Sequence, residues 1–164
     1  LTGEVEQQSR NVLVESARVA RGEIKPLDQL QVSAFDALVV PGGFGAAKNL
    51  SDFAIKGSEC DIEPSVLHVT MAFAELKKPA AYLCIAPAML PRIYGQGVKL
   101  TIGNDPQTAA AINAMGGVHI ECAVDDYVFD ANNNVLSTPA YMLAQNIAQA
   151  ARGIDKTIEK LLVL

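Results

Sequence analysis

The sequence predicts an α/β domain built on a doubly wound, mostly parallel sheet with helices on both faces, and three observations carry that reading. Residues 37–40 and Ala80–Leu83 are short, uninterrupted apolar runs of the kind buried on both sides in a parallel sheet. Residues 62–76 place Ile62, Val66, Val69, Phe73 and Leu76 at spacings of three and four, as an amphipathic helix does. Strand and helix signals then alternate along the chain, the pattern of a sheet sandwiched between helical layers.

Each element follows from its local chemistry. Residues 11–20 predict the first helix, with Gly22 as its C′ residue. The strand at 37–40 stops at Pro41. After the 62–76 helix and the Ala80–Leu83 strand, residues 87–94 predict a helix with proline in its first turn. Residues 99–102 predict a strand, 106–115 a helix ended by Gly116 and Gly117, and 118–121 a further strand. Residues 127–130 and 135–138 flank the turn-forming Ala131-Asn132-Asn133-Asn134, a hairpin signal. A long helix over 141–163 closes the chain, with Leu143, Ile147, Ala150, Ile154, Ile158 and Leu161 on one face.

At 164 residues, half of them apolar and 19% charged, the chain predicts a single domain with an ordinary buried core. A net charge of −5 and the lack of any Lys/Arg cluster argue against a nucleic-acid or anionic-membrane partner. The longest nearly uncharged stretch, residues 79–91, is too short and proline-broken to span a bilayer. Three cysteines form no even disulfide framework and no secretory signal is legible, so a reducing cytoplasm is the expected location. The first residue is Leu1 rather than methionine, which leads us to expect that a preceding strand-helix segment has been removed or is not included.

Two strand ends attract attention, because ligands in such sheets bind outside the carboxyl ends of the strands. They are Pro41-Gly42-Gly43-Phe44-Gly45 and Cys84-Ile85-Ala86-Pro87, and we expect them to be neighbours. The first overlaps the opening of a dinucleotide fingerprint at Gly43-Phe44-Gly45-Ala46-Ala47. That motif also needs an acidic residue at the end of the next strand. Glu59, Asp61 and Glu63 instead lie in a polar, irregular stretch. A phosphate-binding loop fails because no G-K-[ST] motif is present. A tight turn needing no ligand remains the alternative.

The second strand end resembles a nucleophile elbow, in which a sharp strand-to-helix turn projects a side chain out of the sheet. Ala86 supplies one of the small neighbours such a turn needs; Tyr82 does not supply the other. A helix N-terminus behind Cys84 favours thiolate over thiol. The backbone N–H groups of Ile85 and Gly43, with Gly42 beside them, are then candidate oxyanion donors. The competing reading is that Cys84 is a small buried hydrophobe. Lys48 and Asn49, just past the glycine loop, either line the pocket or are merely exposed.

Taken together, the segments PGGFGAAKNL, CIAPAML and TPAYMLAQNIAQAARGID resemble the ElbB (enhancing lycopene biosynthesis) group of the PfpI and class-I amidotransferase-like superfamily over essentially the whole chain. The resemblance implies one flavodoxin-like, three-layer amidotransferase-like domain spanning residues 1–164. It also implies an elbow cysteine at Cys84 facing the Gly42-Gly43 loop, and a cofactor-independent glyoxalase (lyase) activity converting small dicarbonyls such as glyoxal to glycolate, linked to isoprenoid biosynthesis. A small aldehyde or dicarbonyl is the implied substrate, and a homodimer is an open assembly. Many relatives carry histidine where this chain has Ile85, and amidotransferases carry histidine where it has Thr138, which leaves Thr138 as a binding candidate. Glutaminase or protease chemistry run by a cysteine–histidine pair is therefore not expected. The family's partner for the cysteine is a glutamate after the first strand, expected upstream of Leu1. A non-catalytic, redox- or aldehyde-responsive regulator on the same fold is the alternative.

The remaining candidates carry less. His119 and Cys122, three apart on a predicted strand, point to opposite faces and do not share a metal easily; no metal site is assigned. Cys60, in a polar stretch, is either an exposed redox-sensitive thiol or incidental. Asp125 and Asp126 read as a solvated edge.

Overall fold

The computed structural model describes residues 8–164. The chain divides into two compact units, Leu1–Gln31 and Val32–Leu164. In the first, Asn11 caps helix α1 (Val12–Val19) by accepting the Val14 N–H at 3.1 Å. The helix closes when the Gly22 N–H donates to the Ala17 carbonyl at 2.8 Å. Arg21, at φ +55°, is therefore the C′ residue and Gly22 is C″, one position later than expected.

The second unit is built on a four-stranded sheet of order β1-β2-β6-β5. Strands β1 (Leu38–Val40), β2 (Ala80–Leu83) and β6 (Val135–Thr138) are parallel, and β5 (Val128–Asp130) pairs antiparallel with β6 as the predicted hairpin. Register is fixed by Leu38 opposite Ala80 and Leu83 opposite Thr138. Ala80 and Tyr82 face one way, into a core that includes Val66, Ile93 and Ile112 of α4 (Pro64–Glu75), α5 (Leu90–Tyr94) and α6 (Pro106–Ala114). Ala81 and Leu83 face the other way, against Ile154, Ile158 and Leu161 of α7 (Ile147–Leu161). Both faces of β2 are thus covered, which is why it reads as an unbroken apolar run.

Several elements differ from expectation for local reasons. The helix predicted at 87–94 is a 3₁₀ turn, Ala86–Met89, continued by α5. Pro91 has no N–H to offer the Pro87 carbonyl, so the Leu90 N–H bonds there instead and the α ladder cannot run through. The 141–163 helix begins only at Ile147, where the Asn146 side chain accepts the Gln149 N–H at 3.0 Å; a 3₁₀ turn, Ala140–Met142, precedes it. α7 packs close because residue 153 is glycine: a Cβ there would strike the Val124 carbonyl.

Strands β3 (Lys99–Leu100) and β4 (Val118–His119) form a separate two-stranded parallel sheet, each shorter than predicted. Beyond Leu100 the backbone donors turn to side chains. The Thr101 N–H goes to Ser137 Oγ at 2.9 Å, and that of Gly103 to Thr101 Oγ1 at 2.9 Å. The 51–64 stretch holds α3 (Phe53–Lys56) and a 3₁₀ turn, Gly57–Glu59, joined by one antiparallel bridge between Ser51 and Ile62. Among the described residues, no helix is long and apolar enough to cross a membrane.

Candidate active site

The parallel strands β1, β2 and β6 end side by side at Val40, Leu83 and Thr138, and beyond each of these ends the chain turns sharply. After β1, Gly42 (φ +91°) and Gly43 (φ +78°) lead into the short helix α2 (Phe44–Lys48). After β2, Cys84 itself sits at φ +61°, and after β6 Ala140 sits at φ +43°. Positive φ costs an L-residue roughly 1–2 kcal/mol, so a non-glycine held there is over-determined by its surroundings. The Cys84 N–H is tied to the Thr138 carbonyl at 3.0 Å, continuing the β2–β6 ladder one residue into the turn. On the other side Gly42 presses on the elbow: a Cβ there would overlap the Leu83 carbonyl oxygen and lie 2.9 Å from Cys84 Cβ. Only a glycine lets the β1 loop come so close to the cysteine.

These turns border a half-open cavity of about 570 Å³. Pro41, Gly43, Phe44 and Ala47 line it from the glycine loop, and Cys84 and Ile85 from the elbow. Phe53 and Ala54 of α3 and Tyr141 and Met142 of the turn after β6 complete the wall. The two strand ends singled out in the sequence are therefore neighbours on one wall. Cys84 is 9% exposed there. Among the described residues, neither the Gly43 nor the Ile85 N–H donates to another backbone group.

Four sequence candidates are not among the lining residues: Gly42, which instead presses on the elbow, and Lys48, Asn49 and Thr138. The Lys48 ammonium sits over the Phe44 ring, 5.5 Å from its centroid. Asn49 ends α2, its N–H donating to the Gly45 carbonyl at 2.8 Å. Thr138 is fully buried, and its hydroxyl donates to the Asp126 carbonyl at 2.8 Å, so it braces the elbow from behind. Sequence reasoning missed Phe53, Ala54, Tyr141 and Met142. The last two had a legible signal, since they lie just past the carboxyl end of a predicted strand.

The other thiols have different surroundings. Cys60 is wholly buried, its Sγ 3.7 Å from Met115 Sδ, and burial pushes its thiol pKa up, so it is not an exposed thiol. Burial pushes Cys122 up to about 11, with Asp126 and Asp125 adding to the shift. His119 Nε2 accepts the Ile102 N–H at 3.4 Å, and burial holds its imidazole below the usual range.

A doubly wound α/β protein with a strained strand-end thiol facing a glycine loop is the class that fold and site define. No family model matches the chain. It is 40% identical over 168 residues to the rat ES1 protein homolog, mitochondrial (Rattus norvegicus), across 97% of this chain and 63% of that protein. It is 39% identical to the human glutamine amidotransferase-like class 1 domain-containing protein 3, mitochondrial (Homo sapiens), across 97% of this chain and 62% of that protein. The chain thus spans a little under two thirds of the length of these curated relatives. Among solved structures, the isoprenoid biosynthesis protein with amidotransferase-like domain from Ehrlichia chaffeensis superposes with a TM-score of 0.86 at 36% identity, covering 98% of this chain and 74% of that one. The glyoxalase III of Candida albicans shares the fold, with a TM-score of 0.60 at 13% identity over 92% of this chain and 67% of that one. The chain belongs to the amidotransferase-like family of the Ehrlichia protein.

Proposed function

We propose that the protein is a cofactor-independent glyoxalase of the ElbB type, with Cys84 as the nucleophile that converts a small dicarbonyl such as glyoxal to its hydroxy acid. The observation that carries this reading is the convergence of Cys84, Gly43 and Ile85 on one cavity wall at the carboxyl edge of the sheet. The Cys84 sulfur adds to the aldehyde carbon: a C–S bond forms and the carbonyl π pair moves to oxygen, where the Gly43 and Ile85 N–H groups receive it. A proton then moves from that carbon to the neighbouring carbonyl carbon through an enediol, so the first carbon is oxidised to a thioester and the second reduced to a carbinol. Water cleaves the thioester, releasing hydroxy acid and free thiol. Covalent attachment divides one hard step into easier ones, and an oxyanion donor of this kind is worth ~10²–10³ in rate.

A second reading is favoured by one observation. Among the described residues lining the cavity there is no carboxylate or imidazole to carry the proton. An adduct that forms and stalls would make the protein an aldehyde- or redox-responsive regulator. The proposed association with isoprenoid biosynthesis is supported by the resemblance to the ElbB group and by the name of the Ehrlichia protein. Three free cysteines favour a reducing compartment, cytoplasmic or mitochondrial.

The deciding experiment monitors glycolate formation from glyoxal by the full-length protein. Cys84→Ser should stay folded and lose nearly all turnover, because a hydroxyl is hardly ionised at neutral pH. Wild-type turnover in that variant would remove Cys84 from the mechanism. One equivalent of adduct on wild-type protein without glycolate would establish the regulatory reading.

A further inference from the structure

We infer that the preferred substrate is an uncharged 2-oxoaldehyde bearing an apolar substituent, aryl or branched alkyl, rather than glyoxal itself; this rests on the glyoxalase reading above. The basis is the chemistry of the cavity wall. Phe44, Phe53, Ile85 and Met142 present apolar side chains, and Ala47 and Ala54 leave room between them. At about 570 Å³ the space falls within the ~300–1,000 Å³ of pockets that enclose drug-sized ligands. Glyoxal, two carbons and two oxygens, would leave most of that wall in contact with water.

Charge is selected against by the same wall. Among the described lining residues there is no Lys, Arg, His, Asp or Glu, and the polar side-chain groups are the Cys84 thiol and the Tyr141 phenol. The Lys48 ammonium, the nearest cation in sequence to the glycine loop, is placed over the Phe44 ring. A carboxylate or phosphate on the substrate would lose hydration with no counter-charge among the described lining residues to replace it. An apolar substituent would gain burial against Phe44, Phe53 and Met142 while the aldehyde reaches Cys84. The chemistry stays balanced for any such substituent: the oxoaldehyde and one water give the 2-hydroxy acid, the aldehyde carbon being oxidised and the ketone carbon reduced.

The test compares kcat/KM of the full-length protein for glyoxal, phenylglyoxal and 4-carboxyphenylglyoxal, each normalised to its rate of addition to a small free thiol. Phenylglyoxal should exceed glyoxal by about tenfold or more, the discrimination a few buried carbons supply. The carboxylated analogue should fall about tenfold or more below phenylglyoxal. Ala54→Trp fills the cavity from an exposed position. It should lower the ratio of phenylglyoxal to glyoxal kcat/KM about tenfold. Equal or better use of glyoxal, parity of the carboxylated analogue, or an equal loss on both substrates in Ala54→Trp would overturn the substrate class and leave the glyoxalase reading standing. No turnover on any of the three aldehydes would overturn both. Should Ala54→Trp not fold, Cys84 modification by benzyl versus sulfonatoethyl methanethiosulfonate reads the same wall: the benzyl reagent should react faster, and equal rates would overturn the inference.

Discussion

Replacing Gly42 by alanine tests the physical basis of the site directly. The structure imposes two costs. At φ +91° an L-residue carries left-handed strain of roughly 1–2 kcal/mol. Its Cβ would also overlap the Leu83 carbonyl oxygen and stand 2.9 Å from Cys84 Cβ. Neither neighbour is the flexible end of a side chain, so the elbow or the glycine loop must shift, at about 1–3 kcal/mol for such overpacking. We expect Gly42→Ala to lose roughly 2–5 kcal/mol in all, with slower modification of Cys84 as its turn is displaced. Gly97→Ala is the control, because Gly97 lies at φ +82° but an added Cβ meets nothing within 4 Å. It should show the strain alone. Urea denaturation of the two variants and wild type, analysed with a shared m-value, gives the difference. Equal losses at the two positions, or a Gly42→Ala protein as stable as wild type, would refute the close approach of loop and elbow.

Three further outcomes are expected. Because Cys84 holds φ +61°, Cys84→Gly should be no less stable than Cys84→Ala, reversing the usual preference for alanine over glycine by up to about 1 kcal/mol; paired melting curves would show it. A limiting thiol reagent at neutral pH should modify Cys84 before Cys60, which is sealed in the core, and before Cys122, whose labelling should climb as pH rises toward its pKa of about 11; mass mapping of the labelled peptides decides. Burial pushes the Asp130 carboxyl up, but the Lys99, Asn132 and Asn133 N–H groups and the Asn133 side chain together hold it below the usual carboxylate range. Its contribution is therefore present above the unfolded value of ~3.9 and is lost as pH falls through the lowered folded value. Asp130→Ala should cost about 1–3 kcal/mol at neutral pH and flatten the acid limb of the stability curve.

How much was legible depended on whether the information was local. Ala80–Leu83 is bounded without error because a strand covered on both sides reads as an unbroken apolar run, Val135–Thr138 because the turn-forming Ala131-Asn132-Asn133-Asn134 precedes it, and Pro106 marks the start of α6 because proline suits a first turn. The 87–94 and 141–163 helices were overdrawn for the opposite reason. Apolar spacing recorded the buried face, while Pro91 and the Asn146 cap, which set the breaks, act through single hydrogen bonds that spacing does not register. Polar neighbours leave Cys60 open to being either an exposed thiol or incidental, and the core around Met115 closes over it.

The sequence by itself determined the alternation of strands and helices, and it determined that Cys84 ends a strand on a turn small enough to strain it. Those are properties of short runs of residues: their apolar period, their prolines and their glycines. The sequence leads one to expect the ends of β1 and β2 as neighbours, but only the tertiary structure decided that β6 lies on the other side of β2, because strand pairing is chosen by contacts between residues more than forty positions apart. That choice brings Gly42 against Cys84 and carries Phe53, Ala54, Tyr141 and Met142 to the same wall. The thiol was written in the chain; the apolar cavity it faces exists only once segments remote in sequence have packed together.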